Sequence, residues 1–245
     1  MNNLGPSRLE DVISGQLYHH HFQPIFRTDS RQLFGYEALL RSKHVQYPQL
    51  LFEKAADLDM LFDLDTDSLI LAIRHLDERT AFVPENLKFF INVYPSTILS
   101  AGFYVLLKEV LAATKLKPQN LVLEINESEI ISDLDRLRHA VSRIQNLGIR
   151  IALDDIGKGA LPLIEMLKLH PDMLKLDKYY ADNLSDSSDK QQVLSRLIPY
   201  CEQNGITVTI EGIETEEDLL AAHQLGIPLV QGFLLGRPAL LSSFL

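Results

Sequence analysis

Ile149-Arg150-Ile151-Ala152-Leu153-Asp154-Asp155-Ile156-Gly157 joins an apolar run rich in β-branched residues to two adjacent carboxylates and a glycine. Residues 149–154 read as a strand. So uniformly apolar a run, without in-out alternation, predicts a strand covered on both faces. The two acids that end it repel each other and resist burial unless something positive joins them. The pair is either solvated loop or the holder of a cation.

Outward from this stretch the same pattern recurs. Runs at 87–93 (LKFFINV), 121–125 (LVLEI), 173–177 (MLKLD), 206–211 (ITVTIE) and 228–232 (PLVQG) are each separated by a helix-periodic segment. One such segment carries Leu134, Leu137, Val141 and Ile144 on a single face; another opens on Thr215 as an N-cap and closes before Gly226. Repeated β-α alternation predicts a parallel sheet. Upstream, FQPIF (22–26) and LFGYEALLR (33–41), joined by the polar turn RTDSRQ, read as a hairpin, so the first strand is antiparallel. Eight strands in roughly 215 residues fit an α/β fold of the TIM-like (β/α)8 barrel type with an antiparallel first strand. The rival open doubly wound sheet lacks a G-x-G-x-x-G after any strand. A single domain over residues 1–245 is expected, with the polar stretch 182–192 a loop before a helix rather than a linker.

Composition sets limits on partners. The 245 residues are 46% hydrophobic and 23% charged, enough to bury a full core, and carry a formal net charge of -10. That balance argues against polymeric nucleic acid as a ligand. An anionic ligand would need metal ions or local Arg and Lys to reverse the field. The lone Cys201 excludes an intrachain disulfide and suits a reducing compartment. No stretch approaches the roughly 20 apolar residues of a membrane helix, and the opening MNNLGPSRLEDVISGQ lacks a signal-peptide core. A cytoplasmic location without membrane insertion is therefore expected.

The strand ends carry the chemistry. In order they are Glu37, Asn92, Glu124, the Asp154-Asp155 pair, Lys175 with Asp177, Glu211 and Gln231. A parallel barrel brings its C-terminal strand ends to one rim. One lysine does not balance so many carboxylates, and oxygen-only ligation favours Mg²⁺ or Mn²⁺ over zinc. Two ions at about 3.5 to 4 Å are the usual arrangement for attack on a phosphodiester. The plainer reading of any single acid is a loop residue or cap, and Glu127 and Glu129 in particular fit first-turn acids favoured by a helix dipole. His19-His20-His21 read as structural, Cys201 and Phe89-Phe90 as packing.

GYEALLR (35–41), INVYPS, LEINESE, LDDIGKG, LKLD, IEGIE and VQGFLLGRP, in that order, resemble the EAL-domain cyclic-di-GMP phosphodiesterases over about residues 18–240. The resemblance implies hydrolysis of cyclic di-GMP to linear pGpG. It implies Glu37, Asn92, Glu124, Asp154, Asp155 and Glu211 as ligands of two Mg²⁺ or Mn²⁺. Lys175 would hold the attacking water with Asp177 near it, and Glu214 and Gln231 would support the metal and water shell. Gln23 and Arg41 would contact the dinucleotide, Pro238 would line a guanine pocket, and Glu127 would anchor the loop after LDDIG. That loop departs from the family pattern at Lys158-Gly159-Ala160-Leu161-Pro162, and Ile156 replaces the usual Phe. A non-catalytic cyclic-di-GMP receptor is therefore a second reading, and a different metal chemistry with Lys175 as base a third. A homodimer and a signalling partner rest on analogy.

Overall fold

The computed structural model describes residues 6–78, 86–126, 129, 133–156 and 162–244, with side chains from Leu9 onward. Eight strands close into a barrel in chain order: β1 (His19–Arg27), β2 (Leu33–Arg41), β3 (Lys88–Val93), β4 (Leu121–Asn126), β5 (Arg150–Ile156), β6 (Met173–Leu176), β7 (Thr207–Ile210) and β8 (Leu229–Gln231). β1 runs antiparallel to both neighbours, β2 and β8. Every other pair is parallel. The helices are α1 (Pro6–Ser14), α2 (Gln49–Asp57), α3 (Leu61–Asp77), α4 (Pro95–Leu99), α5 (Phe103–Ala113), α6 (Leu134–Gln145), α7 (Leu163–Met166), α8 (Lys178–Ala181), α9 (Ser188–Gln203) and α10 (Glu216–Gln224).

Strand periodicity sorts the residues. Positions i and i+2 share a face, so each strand has one series pointing into the barrel and one pointing at the helices. The outward series, with Phe89, Ile91, Leu121, Leu123, Leu153 and Leu174, packs into the main hydrophobic cluster with Leu69 of α3, Leu107 of α5, Leu137 and Val141 of α6 and Leu194 of α9. Ile25, Phe90, Val122, Ala152, Met173 and Leu229 form a separate lumenal cluster. A third cluster, Val12, Ile13, Tyr18, Leu40, Val45, Leu51, Ala55 and Leu64, joins α1 to the end of β2 and to α2 and α3.

Helix boundaries follow local chemistry. Asp133 caps α6 by accepting from the Arg136 N–H, and Thr215 caps α10 by accepting from the Asp218 N–H. Acids fill the first turn of α10 and His223 its last, which suits the dipole. The polar stretch 182–192 is only partly loop. Leu184–Asp186 form a single 3-10 turn, Ser187 caps α9, and residues from Ser188 are already helical. Its Ser and Asp residues are polar because they cap and start a helix.

Candidate functional site

The lumenal series changes character along each strand. Phe90 is followed two residues later by Asn92, Val122 by Glu124, Ala152 by Asp154, Met173 by Lys175 and Leu229 by Gln231. On the reversed β1 the order is mirrored, with Ile25 preceded by Gln23, which lies opposite Glu37 of β2. The first layer is apolar and the second carries charge.

At the centre of the second layer is Lys175, fully buried. Its Nζ lies 2.6 Å from Glu124 Oε1, 2.6 Å from Glu211 Oε1, 3.1 Å from Glu37 Oε2 and 3.3 Å from Asp154 Oδ1. Asn92 Nδ2 bridges two of these acids, donating to Glu37 Oε1 at 3.3 Å and Glu124 Oε2 at 3.2 Å. Gln231 Nε2 donates to Glu37 Oε2 at 2.8 Å.

The adjacent pair at the end of β5 is explained by a register break. Pairing with β6 shifts between Leu153 and Ile156, and Asp155 takes a left-handed backbone with φ of 57°. In a regular strand the two side chains would point to opposite faces. A bulge with one residue in the left-handed region re-aims the second, a conformation Asp tolerates better than most residues. Asp155 is steadied by Asn126, whose Nδ2 donates to its Oδ2 at 3.4 Å.

Two groups of three carboxylates result. Oxygens of Glu37, Glu124 and Asp154 lie within 4.8 Å of one another, as do those of Asp154, Asp155 and Glu211. The groups share Asp154, the arrangement that suits two neighbouring cations with a common ligand.

Electrostatics describe a site short of positive charge. Burial raises the Glu124 carboxyl well above its usual range, with Glu37 and Asp154 adding to it against Lys175. Burial likewise raises Asp154, and pushes Glu211 up to about 8. Glu37 is the exception: burial would raise it, but Lys175 and hydrogen bonds from Gln231, Lys175 and Asn92 outweigh that and hold it low. Lys175 is driven well above its ordinary value because Asp154, Glu124, Glu211 and Glu37 together overcome its burial.

These residues fit divalent cations. Five carboxylates against one ammonium leave four formal negative charges, which two divalent ions cancel. The donors are all oxygen, as hard cations prefer. In the same layer Gln231 Oε1 is buried and has no hydrogen-bond partner among the described residues.

The remaining expected residues are placed less centrally. Gln23 is buried and donates to the Gly236 carbonyl at 3.1 Å. Arg41 is half-buried, donates to the Leu40 carbonyl at 2.8 Å, and feels the charge of Glu37. Both border the mouth; Arg41 lines a cavity of about 220 Å³ together with Glu37, Asn92, Asp154 and Asp155. Half-buried Pro238 offers its carbonyl to His21. Asp177 is buried and caps α8, accepting from the Tyr179 N–H at 2.9 Å. Glu214 is not brought to the cluster: it is exposed and ion-paired with Lys178 at 2.5 Å. Its position beyond the end of β7 leaves the short lumenal path to Glu211. Glu127 and residues 157–161, which include Lys158, Gly159, Ala160 and Leu161, lie outside the described residues.

The structure adds residues that sequence reasoning missed. Phe52 of α2 and Tyr94 after β3, ring centroids 5.2 Å apart, form an aromatic wall of the same cavity. Buried Asp65 of α3 accepts from the Tyr94 N–H at 2.8 Å and so fixes the turn that follows Asn92. Its carboxyl is pushed up to about 7 by burial, against the hydrogen bonds from Tyr94 and Thr97. Glu129 is no first-turn acid of α6. It accepts from the N–H and hydroxyl of Ser96, at the start of α4.

Comparison with known proteins agrees with this geometry. The EAL domain family model matches residues 7–238. Cyclic di-GMP phosphodiesterase PdeF of Escherichia coli is 27% identical over 230 residues, covering 91% of this chain and 30% of its own length. The solved PaMucR phosphodiesterase, a c-di-GMP complex, matches with a TM-score of 0.87 at 25% identity over 98% of each chain. BlrP1 of Klebsiella pneumoniae, a manganese and cy-diGMP complex, matches with a TM-score of 0.82 at 28% identity, covering 92% of this chain and 57% of that one. The chain spans 27 to 32% of the length of curated relatives of this kind.

Proposed function

The chain belongs to the EAL domain family, and from that premise we propose that it is a metal-dependent phosphodiesterase opening cyclic di-GMP to linear pGpG. The observation that carries the reading is the pair of three-carboxylate groups sharing Asp154 beneath a cavity that also holds Arg41. Relatives and solved neighbours named for this activity and ligand support it.

In this reading Glu37, Glu124 and Asp154 hold one Mg²⁺ or Mn²⁺, and Asp154, Asp155 and Glu211 the other, with Asn92 adding an amide oxygen to the first. When bound, two such ions would supply a low-pKa water and offset the charge that develops on the phosphoryl oxygens. Lys175, kept cationic by its four carboxylates, donates hydrogen bonds and orients the attacking water. In this reading Lys175 serves as a hydrogen-bond donor, in place of the base it would be in the third reading offered by the sequence. Gln231, through its free carbonyl oxygen, accepts from the same water. Arg41 and Gln23 hold the phosphate, with the planar guanidinium presenting two donors to it. Phe52 and Tyr94 offer an aromatic wall to one guanine and Pro238 borders the other. Water adds at phosphorus, the bond to the 3′ oxygen breaks, and that oxygen leaves with a proton. Asp177 acts through the backbone by fixing the turn after Lys175. Glu214 acts from outside the cluster, through Lys178, and Glu127 keeps its proposed part in the loop after Asp155.

The proposal extends to a reducing cytoplasmic setting. Among the described residues no helix is long and apolar enough to cross a membrane, and Cys201 is buried and unpaired. The deciding experiment incubates the protein with cyclic di-GMP and Mn²⁺ or Mg²⁺ and separates the products chromatographically. Conversion to pGpG that disappears in Glu37→Ala supports the enzyme. Binding without product in any metal leaves the receptor reading in its place.

A further inference from the structure

The opposite pole of the barrel, where the parallel strands begin, normally serves stability rather than chemistry. Here it carries a cavity of about 590 Å³, inside the range of small-molecule sites, against about 220 Å³ for the cavity at the catalytic mouth. Its wall is built from the starts of β5, β7 and β8, the end of β1 and one side of α9. Phe34, Ile206, Val208 and Leu229 give it an apolar face. Phe34 packs on the lumenal cluster, so that face is backed by the barrel core.

Charge makes the cavity specific. Arg27 and Arg150 line it, and neither guanidinium is ion-paired among the described residues. The Arg27 guanidinium carbon sits 5.3 Å from the centre of the Phe34 ring, a cation–π contact that leaves its N–H groups available to an acceptor. In a chain of net charge -10, two exposed guanidinium groups against one carboxylate on the same cavity favour an anion there. One carboxylate, Glu202, stands on the same wall and is not ion-paired with either arginine. A plain anion gains nothing from it. A ligand that combines an anion with a flat body and an edge of N–H donors uses all three features.

We propose that this cavity binds a nucleoside monophosphate, guanine before adenine. The phosphate meets Arg27 and Arg150, whose planar forks match phosphate oxygens. The base lies on the apolar face, and Glu202 accepts from the adjacent ring and amino N–H groups that guanine has and adenine lacks. The site is remote from the carboxylate cluster, shares no residue with it, and does not depend on the hydrolase reading.

Isothermal titration calorimetry on the full chain tests it, with 5′-GMP, 5′-AMP, guanosine and inorganic phosphate as probes. The expected result is one 5′-GMP per chain, with 5′-AMP, guanosine and phosphate each weaker. Arg150→Ala and Arg27→Ala each weaken 5′-GMP by about tenfold or more, the loss of one charge-assisted contact. Glu202→Gln brings 5′-GMP to the level of 5′-AMP. Glu37→Ala and Arg41→Ala, at the other pole, leave binding as it is. A melting curve for each variant establishes that it is folded. Binding lost in Arg41→Ala but kept in Arg150→Ala would place the nucleotide at the catalytic mouth and overturn the proposal. Absence of 5′-GMP binding at millimolar concentration overturns it too, as does equal binding of phosphate alone.

Discussion

The two layers inside the barrel come from the same strands and differ by a step of two residues, about 6.6 Å along the chain. The lower layer, Ile25, Phe90, Val122, Ala152, Met173 and Leu229, is buried and wholly apolar. The upper layer, Glu37, Asn92, Glu124, Asp154, Lys175 and Gln231, is buried except for half-buried Asn92 and wholly charged or amide-bearing. Burial stabilises the first and strains the second. The lower layer is therefore where stability is made, and the upper layer is where it is given up in return for a cluster of acids that fits divalent cations.

The difference can be broken most severely at Lys175. Lys175→Ala leaves several buried carboxylates without their shared ammonium, and removal of one partner from a buried pair costs about 3 to 5 kcal/mol. A fall in melting temperature that Mn²⁺ restores is expected, together with a loss of turnover of about 10² to 10³. Calorimetry and product chromatography read both, and an unaltered melting curve without metal would contradict the account of the upper layer. In the lower layer Phe90→Ala should cost about 3 to 5 kcal/mol of stability by denaturant titration, whatever the metal present. Turnover per folded molecule should fall far less than in Lys175→Ala.

Metal itself sharpens the contrast. Mg²⁺ or Mn²⁺ at a hundred times its dissociation constant should raise stability by about 2.7 kcal/mol for each ion bound, reversed by a chelator. Substituting Asp154→Asn, the ligand common to both groups, should remove that gain without lowering metal-free stability.

The smallest effect lies outside both layers, at His20. It is 2% exposed, its Nε2 lies 3.0 Å from Ser68 Oγ, and its Nδ1 has no hydrogen-bond partner among the described residues. Burial, then the charges of His75, His19 and Arg41, lower it to about 3. A base whose folded pKa is depressed contributes stability that is complete above its unfolded value near 6.5 and is lost as pH falls from there toward 3. The slope is about 1.4 kcal/mol per pH unit, so about 2 kcal/mol by pH 5. His20→Phe should flatten the decline in melting temperature between pH 7 and pH 5.

Much of this was legible in the residues. Strand order and the reversed β1 follow from short apolar runs and one hairpin turn, and the convergence of Glu37, Glu124, Asp154, Lys175 and Glu211 follows from closing those strands into a ring. The family resemblance added Gln23, Arg41 and Pro238, which periodicity alone does not mark. Asp155 was legible as the second acid at a strand end, but the register break that turns it inward leaves no pattern in composition. Phe52, Tyr94 and Asp65 were invisible for a different reason. They reach the mouth from helices and turns, where an inward aromatic or a buried acid looks like any other core or cap residue. Arg27, Arg150 and Glu202 were equally hidden, since each is an ordinary charge at the border of an element until the barrel brings them to one cavity.

The reversal of β1 has a consequence for where influence enters the molecule. In an all-parallel barrel the first strand begins at the pole away from the reaction, so whatever precedes it is mechanically remote. Here the first strand begins beside Arg41, and α1 before it shares a small core with α2, whose Phe52 borders the catalytic cavity. The small core that holds α1 thus reaches, through the partly buried Phe52, the wall of that cavity, and through Leu40 the end of β2 itself.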